Sequence, residues 1–191
     1  MLERILDGDG RSSGDADRCI QPLFGFLEQF ADDSLNWTLD IVCAKSLVKH
    51  YLINYIEKGC QISSNCNDSH LVLTVFHILR FFGCTISRYS RDEREALSSH
   101  GLAVSTVGLL KAESQLGPSK SKDHVYHGFK AQLVKIIANL THDCSDVVLE
   151  EMKLLGVLPL LLNHCRHIDD ENPFIREWSV FAIRNLSKSN Q

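Results

Sequence analysis

The sequence predicts an all-α protein built from stacked helical repeats. Two observations support this prediction. First, one helical phrase occurs twice, as FKAQLVKIIANL at residues 129–140 and as IREWSVFAIRNL at residues 175–186. Second, apolar residues recur at three- and four-residue steps through most of the chain, as they do on one face of an α-helix, and strand-like alternation is scarce.

The spacing of the two phrases indicates the type of repeat. Asn139 and Asn185, near the ends of the two copies, lie 46 residues apart. Helical repeats of the armadillo and HEAT type have periods of about 40–47 residues. A Leu-rich helix that follows a turn at Gly156 separates the copies, which is the order of helices in an armadillo repeat. We therefore expect an armadillo/HEAT-like right-handed helical solenoid of about three to four repeats.

Composition divides the chain into regions. Residues 1–18 are polar and rich in glycine, which predicts a flexible N-terminal tail, and residues 19–191 form the predicted repeat domain. A Pro/Gly/Ser-rich insertion at about 112–124 predicts a surface loop. Before this loop, hydrophobic periodicity predicts helices that start near residues 20, 35, 70, 91 and 102.

The details of the repeats can also be predicted. The helix pair around Gly101 resembles the pair around Gly156, which indicates a further and more divergent repeat, and its alignment puts Phe81 opposite Asn139. Asn172 and Pro173 have the residue types of an N-cap and a first helical position, so they are expected to start the last helix. The acidic stretch at 169–171 would then lie beside the positive end of that helix.

Several phrases of the C-terminal third are more specific than a helical period. They are GFK at 128–130, IANL at 137–140, IDDENPF at 168–174, EW at 177–178 and AIRNL at 182–186. With these phrases, residues from about 125 to 191 resemble the C-terminal domain of the ataxin-10 family. The resemblance implies a non-catalytic cytoplasmic protein–protein interaction scaffold with a role in neurite outgrowth, neuronal survival or cell division. Because family members are longer, we expect the chain to be a C-terminal portion or a short form.

A second function remains open beside this one. The chain would also suit a structural end-cap or self-association module of a larger armadillo solenoid, with no independent partner. For both functions the expected partners are proteins, including a second copy of the chain in a homo-oligomer.

Charge and hydropathy exclude several other classes of function. The net charge of −4 gives no basic surface for nucleic acid. No apolar run approaches the roughly 18 residues of a membrane span, and residues 1–7 lack the apolar core of a signal peptide. The seven cysteines are an odd number without framework spacing, which fits a reducing compartment. We expect a cytoplasmic protein that binds neither nucleic acid nor membrane.

No motif for catalysis, metal or cofactor binding stands out. The groups Cys60, Cys66, His70 and His164, Cys165, His167 lack the paired spacing of structural zinc sites. A Gly-rich phosphate loop after a strand and a nucleophile elbow are both missing from the sequence. We therefore expect no enzyme activity, no metal and no cofactor.

Helical phase identifies a candidate binding stripe beside the core face of the repeated helix. In armadillo proteins the corresponding helix lines the concave surface that binds partners. Because the stripe holds polar residues in the middle repeat, it is not expected to be core there, although its two aromatic rings could instead pack within the chain. The cationic Lys135 disfavours the basic peptides that import receptors bind. The predicted protein-binding residues are Trp178, Phe181 and Asn185, their counterparts Gln132, Lys135 and Asn139, and His77 in the earlier repeat.

Overall fold

A computed structural model describes residues 41–57, 69–115, 128–170 and 172–188. Within these ranges the chain forms helices joined by short turns, and it forms no β-strand. The all-α prediction is therefore confirmed. The predicted tail at 1–18, the helix expected near residue 20 and most of the loop expected at 112–124 lie outside the described residues.

The described helices follow one another in a regular order. The first run consists of α1, a π-helical segment at Val48–Ile53, and α2, which continue directly into one another. A 3-10 turn at Ile86–Arg88 ends the next helix, α3. The helices are α1 (Ile41–Leu47), α2 (Asn54–Glu57), α3 (Ser69–Thr85), α4 (Arg91–Ser99), α5 (Leu102–Ser114), α6 (Phe129–Leu140), α7 (Asp146–Leu154), α8 (Val157–Arg166) and α9 (Ile175–Ser187).

Matching end signals show that α4 and α5 correspond to α7 and α8. Ser90 accepts a hydrogen bond from the Glu93 amide at the start of α4, and Ser145 caps α7 in the same way. Gly101 and Gly156 each adopt a left-handed conformation just before the second helix of their pair, with φ of 99° and 66°. Glycine enters this region without the steric cost of a Cβ atom. Both pairs of signals lie 55 residues apart, so α4 and α5 match α7 and α8 in order and in the way that each helix begins.

Successive units stack helix on helix. Helix α3 packs against α6, and α6 packs against α9, while α5 packs against α6 and α8. Polar contacts tie α4 to the next unit, because Ser98 Oγ donates to Glu151 Oε2 at 2.6 Å and Arg94 Nη2 donates to the Asp143 carbonyl at 3.2 Å. The stack places α3, α6 and α9 side by side.

The core runs through these stacked helices as one apolar cluster. Phe81, Phe82 and Phe129 are almost completely buried in it. The Phe129 ring stacks on Phe76, with centroids 6.1 Å apart, and thereby joins α6 to α3. Among the described helices, none has the length and hydropathy needed to cross a bilayer.

The predicted start of the last helix is wrong. Helix α9 begins at Ile175, after Phe174, and not at Pro173. Asn172 instead caps α6, because its Oδ1 accepts a hydrogen bond from the Ala131 amide at 3.2 Å. The first-turn amides of a helix lack intrahelical partners, so a loop that folds over α6 can satisfy one of them.

Asp169, in the acidic stretch before α9, also binds the start of α6. Asp169 forms an ion pair with Lys130 at 2.7 Å and accepts a hydrogen bond from Asn172 Nδ2 at 3.0 Å. Of the acidic stretch at 169–171 that was expected beside the start of α9, Asp169 thus binds the first turn of α6. The loop before α9 is attached to the beginning of α6 by a salt bridge and a capping hydrogen bond.

Two asparagine contacts correct the predicted alignment of the first repeat. Asn185 Nδ2 donates to the Ala138 carbonyl at 3.0 Å, and Asn139 Nδ2 donates to the Gly83 carbonyl at 3.3 Å. Asn185 thus contacts Ala138, the residue just before its counterpart Asn139. Asn139 contacts Gly83 in the same way, so its own counterpart is the next residue, Cys84. Phe81, the counterpart predicted from the sequence, lies three residues before Cys84. A shift of three residues stays on the same helix face, so apolar periodicity could not exclude it.

The two asparagines give a graded stability prediction. Asn139→Leu is expected to lower the free energy of unfolding by about 1–3 kcal/mol, because the Gly83 carbonyl loses its buried donor. Asn185→Leu should cost less, because the Ala138 carbonyl also accepts from Thr141 Oγ1 at 3.1 Å. Urea denaturation measures both changes, and Asn163→Leu at an exposed position of α8 is the control. Equal, negligible effects at Asn139 and Asn163 would contradict the structural role.

Candidate functional site

A groove of about 390 Å³ opens across α3, α6 and the start of α9. We call it the aromatic groove. Helices α3, α6 and α9 all contribute to it, because α6 packs against both α3 and α9. Its lining residues are Phe76 and Arg80 from α3, Gly128, Ala131, Gln132 and Lys135 from α6 and its cap, and Pro173, Phe174 and Trp178 from the α9 region.

Both cations of the groove lie on aromatic rings. Lys135 Nζ is 5.4 Å from the centroid of Trp178, and Arg80 Cζ is 5.9 Å from the centroid of Phe76. Both distances are within the range of cation–π attraction. Lys135 Nζ also lies 3.7 Å from Cys84 Sγ. Among the residues that the structure describes, the lining contains these two positive charges and no carboxylate.

The half-buried Trp178 begins an aromatic row beside the groove. Its ring meets Phe181 edge-on at 6.1 Å, and Phe181 stacks on His142 at 5.8 Å. Trp178 and Phe181 both pack partly against the core. Only Trp178 of the three also lines the groove.

Phe174 stands at the rim of the groove in an unusual state. Its side chain is 70% exposed, and its backbone has a positive φ of 65°. The left-handed conformation costs roughly 1–2 kcal/mol for residues with a Cβ atom. The Phe174 carbonyl accepts a hydrogen bond from the Trp178 amide at 3.0 Å, so this residue connects the loop to the first turn of α9. Strain of this kind concentrates at binding and active sites.

Comparison with known proteins identifies the segment that contains α6 to α9. A family model described as the spinocerebellar ataxia type 10 protein domain matches residues 129–191. This part of the chain is similar to the ataxin-10 family domain. The resemblance predicted for residues from about 125 to 191 is confirmed.

Individual ataxin-10 proteins match longer or shorter parts of the chain. The ataxin-10 homolog of Dictyostelium discoideum is 43% identical over 74 residues, which cover 39% of this chain and 12% of that protein. Human ataxin-10 is 36% identical over 86 residues, which cover 45% of this chain and 16% of that protein. The homolog of Kluyveromyces lactis is 25% identical over 195 positions, covering 88% of this chain and 30% of that protein. No solved structure matches the chain significantly.

The structure separates the predicted binding residues into three groups. Trp178, Lys135 and Gln132 line the aromatic groove, and Phe181 packs beside it. The amides of Asn139 and Asn185 are buried in contacts between helices of the ataxin-10 segment and its neighbour α3. His77 lies next to Phe76, with ring centroids 6.3 Å apart, and does not line the groove.

Sequence reasoning missed Phe76, Arg80 and Phe174. With the corrected alignment, Arg80 is the counterpart of Lys135, so a correct register would have found it. The exposure of Phe174 could have been predicted from another feature of the sequence. It is a large apolar residue next to Pro173 that lies outside the apolar periodicity of the helix, so it has no place in the core. The ataxin-10 segment thus contributes most of the groove, and α3 contributes a cation and a ring.

Gly83 allows the ataxin-10 segment to approach α3 closely. A Cβ atom at this position would lie 2.5 Å from Gln132 Oε1. Within the described part of the chain, that oxygen is buried without a hydrogen-bond partner. Because residue 83 has no side chain, the Gln132 side chain can lie over it and Asn139 can reach its carbonyl.

The described residues bring together no group of three or more His, Cys, Asp or Glu side chains that could hold a metal. His164 is buried and lies 3.3 Å from Ser114 Oγ, whereas His167 is exposed. Cys60 and Cys66 lie outside the described residues.

His164 predicts a pH dependence of stability. Burial lowers its pKa below the ordinary 6.5, Lys130 lowers it further, and Asp169 raises it. The unfolded chain therefore takes up the proton more readily than the folded chain. This contribution to stability should be fully present above about pH 6.5 and be lost progressively as the pH falls below it.

Thermal unfolding across this pH range measures the effect. His164→Gln should flatten the acid side of the profile, whereas His167→Gln, at an exposed position, should leave it unchanged. A profile in which both variants match the unmodified chain would contradict the prediction.

Proposed function

We propose that this chain is a non-catalytic, armadillo-like module that binds other proteins through the aromatic groove. The observation that carries the proposal is the convergence of three stacked helices on one groove with an exposed, strained Phe174 at its rim. Trp and Arg are enriched among residues that dominate interface energy, and the groove offers one of each. Stacked helical repeats commonly bind partners on a surface formed by equivalent helices.

The similarity of residues 129–191 to the ataxin-10 family domain supports the cellular setting of the proposal. The chain acts as a cytoplasmic scaffold of the ataxin-10 type, with a role in neurite outgrowth, neuronal survival or cell division. It fulfils this role by protein contact and not by catalysis.

An end-cap or self-association module is the second candidate. Leu158, Leu162 and Val180 are 46%, 43% and 55% exposed on the outer face of α8 and α9. The equivalent residues of the preceding unit, such as Val107 and Val134, are fully buried by the unit that follows them. A further repeat or a second copy of the chain would cover this outer face.

Phe174→Asn and Leu162→Asn distinguish the two candidates. Asparagine tolerates the left-handed conformation, so Phe174→Asn should remove the ring and stabilise the fold by up to about 1 kcal/mol. Affinity capture from neuronal extract, quantified by mass spectrometry, should lose its specific proteins with Phe174→Asn and keep them with Leu162→Asn. The opposite pattern, with self-association lost in Leu162→Asn, would favour the end-cap. Melting temperatures confirm that both variants are folded.

A further inference from the structure

We propose that the occupant of the aromatic groove is a short acidic peptide segment with an apolar anchor residue. Its carboxylates would bind Lys135, and its apolar side chain would pack on Trp178 and Phe174. The inference rests on the proposed function, because it specifies the partner of the same groove.

The positive charge of the groove favours a partner of negative charge. Among the described residues, its lining holds two cations and no carboxylate. The nearby carboxylate of Asp169 is already paired with Lys130. An acidic segment therefore meets complementary charge, whereas a basic one meets repulsion.

The environment of Lys135 leaves it able to bind an anion. Its ammonium group has three donors. The described contacts of this group are the face of Trp178 and the thiol of Cys84, and a thiol is a weak acceptor. Since Lys135 is half-buried, a carboxylate that reaches it would form a charge-assisted bond partly shielded from water.

The size and rings of the groove select the form of the partner. A volume of about 390 Å³ suits a few side chains of an extended segment better than a folded surface. Phe174 projects at the rim and Trp178 lies beside Lys135, so an aromatic or aliphatic anchor can pack between the rings while a neighbouring carboxylate reaches the ammonium group.

Fluorescence of Trp178 tests the proposal directly. Trp37→Phe leaves Trp178 as the sole tryptophan of the full chain. The probes are a blocked peptide that alternates Glu with Leu and Phe, the same peptide with Gln for every Glu, and the same peptide with Lys for every Glu. We expect the Glu peptide to bind roughly tenfold or more tightly than the Gln peptide. The Lys peptide should not bind, and added salt should weaken the Glu peptide.

The variant Lys135→Gln tests whether Lys135 is the group that binds the carboxylates of the Glu peptide. It should lower affinity for the Glu peptide roughly tenfold and leave the Gln peptide unchanged, so that a double-mutant cycle shows coupling. Lys153→Gln is the matched control, because Lys153 is exposed on α7 and pairs with Glu150. It should change neither affinity.

Several outcomes would overturn the inference. Equal binding of the Glu and Gln peptides, zero coupling at Lys135, or tighter binding of an oligouridylate than of the Glu peptide would each do so. If Phe174→Asn abolishes protein capture but no acidic peptide binds, this inference fails while the proposed function stands. If Phe174→Asn also leaves capture unchanged, the proposed function fails as well.

Discussion

Phe129→Ala is expected to lower the free energy of unfolding by about 3–5 kcal/mol, the range for truncating a sealed aromatic side chain. Phe129 is 1% exposed and stacks on Phe76, so its removal opens a cavity between α3 and α6. Urea denaturation measures the change. Val147→Ala, at a position 58% exposed on α7, should stay within about 0.5 kcal/mol of the unmodified chain.

A loss below about 1 kcal/mol at Phe129 would show that the contact between α3 and α6 is not part of a packed core. Such a result would also remove the basis for the groove, because Phe76 contacts Phe129 on one side and lines the groove on the other.

Trp178→Ala is expected to weaken partner binding by at least about 2 kcal/mol, as for other residues that dominate interfaces. The same change should cost less stability than Phe129→Ala, because Trp178 is only half-buried. Its ring supports Lys135 and meets the edge of Phe181, so both the anchor surface and the position of the ammonium group would be lost. Calorimetric titration with a captured partner measures binding, and urea denaturation measures stability.

Trp178→Phe is the matched control, because it retains a ring for the anchor and for Lys135. It should keep most of the affinity. A stability loss of 3–5 kcal/mol for Trp178→Ala, with unchanged affinity of the folded fraction, would show that the ring is core. The end-cap function would then be favoured over groove binding.

Much of the fold could be predicted because its signals are local. Apolar periodicity predicted the helices around Ile78 and Leu97, and Gly101 and Gly156 marked the turns between helix pairs. The binding stripe followed from the same periodicity, and Trp178, Lys135 and Gln132 do line one groove.

The wrong predictions concern residues that contact distant parts of the chain instead of their sequence neighbours. Asn172 has the residue type of a cap, but the helix that it caps lies 41 residues earlier. The alignment of α3 failed because Phe81 and Cys84 share a helix face, and only the contact of Asn139 with Gly83 distinguishes them. The left-handed conformation of Phe174 has no local signal, since residues with a Cβ atom rarely adopt it.

The capping of α6 by Asn172 has a consequence for how this protein can be divided. A fragment that ends after α8 would remove the cap of α6, the partner of Lys130 and the helix that packs on α6. Helices α6 to α9 therefore have to be kept or lost together, although α6 and the cap at Asn172 are far apart in the sequence. The ataxin-10 match begins at Phe129, the first residue of α6, and runs through α9. The ataxin-10 match thus covers all the helices that the Asn172 cap and the Lys130–Asp169 ion pair hold together.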